Sequence, residues 1–166
     1  MSLAELGISP GKVETIEQVG HYVDDPLAAF AHLCGNKNNA LLLESAEIDS
    51  KDDLQSLLMV DAALRMECRD NRVEVKALTG NGASVLPLFV EHAPDGLHIK
   101  ERTDTSITLI CDEADGELDE DSRLKAASVM DALRIVINKI TPIRQHPHAV
   151  FLGGVFAYDM LAGFEK

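Results

Sequence analysis

The chain has 166 residues, of which 46% are hydrophobic, and it carries 28 Asp and Glu against 15 Lys and Arg, a formal net charge of −13. A chain of this length buries roughly 70% of the surface its unfolded form exposes, so one domain with an ordinary core is expected, without metal or disulfide staples. The acidity argues against nucleic acid and membrane surfaces as partners, because binding them requires Lys and Arg to neutralise phosphates.

No apolar run approaches the roughly 20 residues that a bilayer crossing needs, and the start, MSLAELGISPGK, has neither the basic nor the apolar region of a signal peptide. A soluble, cytoplasmic protein is expected. Cys34, Cys68 and Cys111 are odd in number, far apart and free of any CxxC pair, and they read as buried reduced thiols. With no Trp, two Tyr and five Phe, the chain offers no aromatic platform for stacking bases or sugars.

Residues 13–19 place Val13, Ile16 and Val19 among polar neighbours, a pattern open to a strand or a frayed helical turn. Asp25-Pro26 predicts a helix start, since the carboxylate can accept from free backbone N–H groups and Pro26 pre-sets the first helical dihedral. That helix is expected over 26–33 and to end at Cys34-Gly35, followed by a turn-rich connector at 36–39. Residues 40–43 read as a short, fully buried strand ending in Glu44-Ser45, and Ser50 with Asp53 as a capping pair. A strand-length apolar run follows at 57–60.

Beyond Asp61 the period becomes two. Leu64, Met66 and Cys68 alternate with charged residues, Asp70-Asn71 turns the chain, and Val73, Val75 and Ala77 alternate on the return, so a hairpin with one wet, charged face is predicted. Residues 79–82 read as a loop and 83–92 as a helix with Pro87 in its first turns; 105–111 alternate as a strand. Seven of the ten residues from 112 to 121 are acids, whose last members would favour the N-terminus of a helix over 121–139. Its apolar stripe is read as Ala126, Val129, Met130, Leu133, Val136, Ile137 and Ile140. After Thr141-Pro142, residues 149–157 read as an apolar strand and 158–166 as the opening of a helix.

None of these features composes an active site. The acidic run fails an EF-hand register, because Gly116 as sixth residue would put Cys111 first and Ser122 twelfth. His146 and His148 lack a third ligand placed by spacing, and the glycine pairs at 80–82 and 153–154 lack the rest of a dinucleotide or phosphate-loop pattern. Composition and periodicity therefore yield an acidic α+β domain, mainly antiparallel sheet with a few packed helices.

Two long motifs add a likeness. LLLESAEIDSKDDLQSLLMVDAALRM at 41–66 and GGVFAYDMLAGFE at 153–165 resemble the N-terminal region of anthranilate synthase component I, with DDPLAAFAHLCG, LTGNG and LDEDSRL in similar order. Ala157 departs from the glycine that many relatives have before the tyrosine. The resemblance implies that 1–166 is a single N-terminal regulatory domain, not catalytic alone, with the C-terminal chorismate-binding domain outside the chain. It implies L-tryptophan as a feedback ligand at Leu43, Glu44 and Ser45, the end of an apolar strand. It also implies no catalytic residues or metal ligands here, since the enzyme's magnesium belongs to the other domain. The expected partners are that domain and the glutamine amidotransferase component II. Self-association through an uncovered apolar surface or sheet edge is expected as well.

Overall fold

A computed structural model describes residues 11–44, 56–112 and 126–157. In chain order the elements are β1 (Lys12–Val13), α1 (Pro26–Cys34), β2 (Leu41–Glu44), β3 (Ser56–Met59), β4 (Leu64–Arg69), β5 (Arg72–Ala77), α2 (Gly80–His92), β6 (Leu97–Arg102), β7 (Ser106–Cys111), α3 (Met130–Lys139) and β8 (Thr141–Pro142). The chain forms an α+β fold whose larger sheets are antiparallel, and it divides into two compact units, one centred on residues 63–151 and the other on 16–62.

The larger unit is built on a four-stranded sheet in the order β4-β5-β7-β6. Its hairpin is the one the alternation predicts: Leu64 pairs with Ala77 and Arg69 with Arg72, and Asp70 takes a positive φ of 52° at the turn. Val73 and Val75 are fully buried while Arg72, Glu74 and Lys76 are exposed, so the period of two becomes one dry and one wet face. From β5 the chain crosses through α2 to β6, and β7 inserts between those two strands, antiparallel to each.

Leu86, Leu88 and Phe89 of α2, Leu97 of β6, Ile107, Leu109 and Cys111 of β7, and Ala132, Ile135 and Val136 of α3 form the core with the two valines. Each fully buried side chain of this kind contributes about 1.5–3 kcal/mol relative to exposure. The short parallel pair of β1 with β8 closes the unit, reinforced by an Arg144–Glu14 ion pair at 2.8 Å.

Several expectations need correction. Residues 79–82 are not a loop: α2 begins at Gly80, because the Thr79 hydroxyl accepts the Gly82 N–H at 3.2 Å and caps the helix. Pro87 consequently lies inside the helix rather than in its first turns. The helix expected over 121–139 is regular from Met130; residues 121–125 lie outside the described residues, and 126–129 are not helical. Just ahead of the helix the Asp131 carboxylate accepts the Ser128 N–H at 2.7 Å, a local bond that a reading based on apolar spacing overlooks.

The buried stripe of α3 is also rotated from the one expected. It includes Ala132 and Ile135 and leaves Ile137 55% exposed. Residues 149–157 form no strand, since no neighbouring strand among the described residues offers a ladder to them, and Val155 and Phe156 stand in solvent. Strand β6, LHIKER, went unforeseen because only Leu97 is buried on this edge strand and a bulge between Ile99 and Glu101 breaks its register. Residues 13–19 contribute only Val13 to a strand. Cys34 and Cys111 are buried as expected, but Cys68 is exposed. The capping pair at 50–53 and the helix at 158–166 lie outside the described residues.

Candidate functional site

The smaller unit holds the residues singled out for ligand binding. Helix α1 starts as its sequence dictates, with the Asp25 carboxylate accepting the Ala28 N–H at 2.9 Å and Pro26 in the first turn. Gly35, at φ 52°, ends it by donating its N–H to Ala31 at 3.0 Å. The connector is then held by Lys37, whose ammonium meets the Asp61 carboxylate at 2.7 Å. Both side chains are well exposed, so this pair contributes at most about 1 kcal/mol; its effect is to tie the approach to β2 to the segment leaving β3.

β2 pairs antiparallel with β3, Leu43 opposite Leu57 and Glu44 opposite Ser56. These two strands form a sheet of their own, so each has one unpaired edge among the described residues. The strand is not fully buried as expected. Leu41 and Leu42 are half-buried, Leu43 is 45% exposed and Glu44 is exposed. A two-stranded ribbon has too little surface to cover both faces of its own leucines.

The pleat separates the candidate residues. Leu43 shares a face with Leu41, whereas Glu44 projects from the opposite face with Leu42. Ser45 lies outside the described residues. The strand end therefore offers an exposed apolar side chain on one side, a carboxylate suited to an ammonium group on the other, and free backbone groups along its edge. None of these groups can act on a substrate as a nucleophile positioned by a base.

Elsewhere, the His148 N–H donates to His146 Nδ1 at 3.1 Å, and His148 packs edge-on against Phe151, so this pair shapes its own turn. No group of three or more His, Cys, Asp or Glu among the described residues could hold a metal ion. No helix among them is long and apolar enough to cross a membrane. A concavity of about 300 Å³ lies in the larger unit, lined by Glu67, Arg69, Arg72 and Glu74. It does not include Leu43 or Glu44. The sequence reading registered those four charges only as a wet face, and their cross-strand register was the available signal it did not use.

The chain aligns over most of its length with curated anthranilate synthase component 1 proteins. It is 43% identical over 153 residues, 92% of its length, to anthranilate synthase component 1 of Escherichia coli (strain K12). The chain belongs to the anthranilate synthase component 1 family. It is likewise 43% identical over 155 residues to the component 1 protein of Vibrio parahaemolyticus, and 36% identical over 151 residues to that of Buchnera aphidicola subsp. Acyrthosiphon pisum. It spans 28–29% of the length of these curated relatives and corresponds to their N-terminal part. No protein-family profile matches it.

Proposed function

We propose that the chain is the regulatory N-terminal domain of an anthranilate synthase component 1 of tryptophan biosynthesis. In this reading the complete cytoplasmic enzyme converts chorismate to anthranilate and pyruvate, using ammonia from a glutamine amidotransferase component II. The observation that carries the reading is 43% identity over 92% of the chain, a span that includes the 41–66 motif. A free-standing amino-acid sensor and the aminodeoxychorismate synthase counterpart are not favoured, since the matched relatives carry the anthranilate synthase name.

Tryptophan is proposed to bind at the end of β2 through Leu43, Glu44 and Ser45. Exposed Leu43 and the Glu44 carboxylate support this chemically, because the ligand pairs an apolar ring with an ammonium group. Their placement on opposite faces of a pleated strand means that a ligand touching both must wrap the strand end, and the C-terminal domain is proposed to supply the remaining contacts. Magnesium is proposed to bind in that domain.

Two measurements on the chain alone test the reading. With chorismate, ammonia and magnesium it should form no fluorescent anthranilate above a buffer control, and formation above that control would overturn the assignment. Calorimetry with tryptophan should show little or no binding, because each missing hydrogen bond to a charged ligand group weakens the complex by roughly 1.5–3 kcal/mol, and about 1.4 kcal/mol is tenfold in affinity. Tight binding would show that the site is complete without the second domain.

A further inference from the structure

The outer face of the β4–β5 hairpin carries the charged cross-strand pairs of the described strands. Opposite charges across an antiparallel pair attract and like charges repel, yet here every charged cross-strand pair is like with like. Arg65 stands opposite Lys76, Glu67 opposite Glu74, and Arg69 opposite Arg72. Exchanging Glu67 with Arg69 along β4 would have made two of the three pairs attractive. The ion pairs that do form run along β4, from Glu67 to Arg65 and, at 3.6 Å, to Arg69. On β5, neither Glu74 nor Lys76 has an ion-pair partner among the described residues.

Taken along the strands, the face is a ladder of rows about 6.8 Å apart, positive, negative, positive, ending at the turn that carries Asp70. This pattern is antisymmetric about the line between the glutamate row and the Arg69–Arg72 row. A two-fold axis along that line brings a second copy face to face with Glu67 over Arg69, Glu74 over Arg72, and the Arg65–Lys76 row over the turn at Asp70. The same operation makes the match reciprocal, as an isologous contact requires. The concavity of about 300 Å³ lined by Glu67, Arg69, Arg72 and Glu74 lies at this line, giving long side chains of the second copy room to enter.

Four basic and three acidic groups give the face +1, leaving −13 − 1 = −14 on the rest of the chain, so this face carries none of the net negative charge that makes two copies repel. The like-charge repulsion present in the free chain becomes attraction in the pair. The geometry points to this face as a two-fold homodimer contact, held by charge and therefore sensitive to salt. The inference does not depend on the enzymatic reading, and it concerns a different surface from the apolar one considered for self-association.

Sedimentation of the chain at low and raised ionic strength, with two charge-reversed variants, tests it. Glu67→Arg/Glu74→Arg makes all three rows positive, and Arg69→Glu/Arg72→Glu makes the two central rows negative. The unaltered chain should dimerise at low salt, with Kd weakening at least about tenfold as the screening length falls from about 30 Å to 8 Å. Each variant alone should be monomeric, and their equimolar mixture should form the heterodimer. A monomeric unaltered chain, a salt-insensitive dimer, undiminished association of either variant, or a mixture that stays monomeric would each overturn the inference. Should a reversed variant fail to fold by circular dichroism, Glu67→Gln/Glu74→Gln decides: weakened dimerisation supports the contact and unchanged dimerisation contradicts it.

Discussion

Single atoms decide how the larger unit closes. A Cβ on Gly82 would lie 1.9 Å from the Ala63 carbonyl oxygen, which also accepts the Leu78 N–H, so only glycine lets α2 begin this close to the start of β4. Gly82→Ala should lower stability by about 2 kcal/mol or more, as overpacking against backbone does, and a shift in the urea midpoint measures it. Cys111 makes a second prediction. Its thiol donates to the Ala127 carbonyl at 2.9 Å, and burial, followed by the Asp131 and Asp112 carboxylates, pushes its pKa above the ordinary 9.0. A raised pKa in the folded chain means that stability is retained below about 9 and lost as pH rises above it, because the unfolded thiol ionises first. Urea midpoints at pH 7.5 and pH 10 should show this loss, and Cys111→Ala should flatten it while lowering stability at both pH values. An identical pH dependence in the variant would show that Cys111 is not its source.

At the scale of elements, local side-chain bonds accompany the boundaries that shifted from those expected. Thr79 satisfies a backbone donor that α2 leaves free, Asp131 accepts from Ser128 just ahead of α3, and both bonds extend over only three residues. Thr79→Ala should therefore cost about 1 kcal/mol, with α2 fraying at Gly80–Gly82 in hydrogen exchange. The β4–β5 hairpin was legible because its alternation and its Asp70-Asn71 turn agree, and α1 because Asp25, Pro26 and Gly35 each signal the same ends. Strand β6 was not legible. An edge strand buries one residue, Leu97, and owes its place to pairing with β7, information that sits in another part of the chain. The supposed strand at 149–157 failed for the converse reason: apolar residues without a neighbouring strand do not make a ladder.

For the whole molecule, the core was legible and the candidate site only partly so. Leu43 and Glu44 were reached through a resemblance to a family, since an exposed strand end carries no pattern that distinguishes a ligand contact from a turn. The pleat then places them on opposite faces, a separation that alternation implies once the strand is accepted. Leu43 in the smaller unit and Val155 and Phe156 in the larger are exposed apolar side chains, and the chain spans 29% of the E. coli relative's length. The most direct test of the regulatory assignment is a tryptophan inhibition curve for the complete enzyme containing this domain, with and without Ser45→Phe. The account predicts strong relief of inhibition with catalysis largely intact, because the larger ring fills the proposed site without touching the catalytic domain's chemistry. An unchanged inhibition curve in that variant would contradict it.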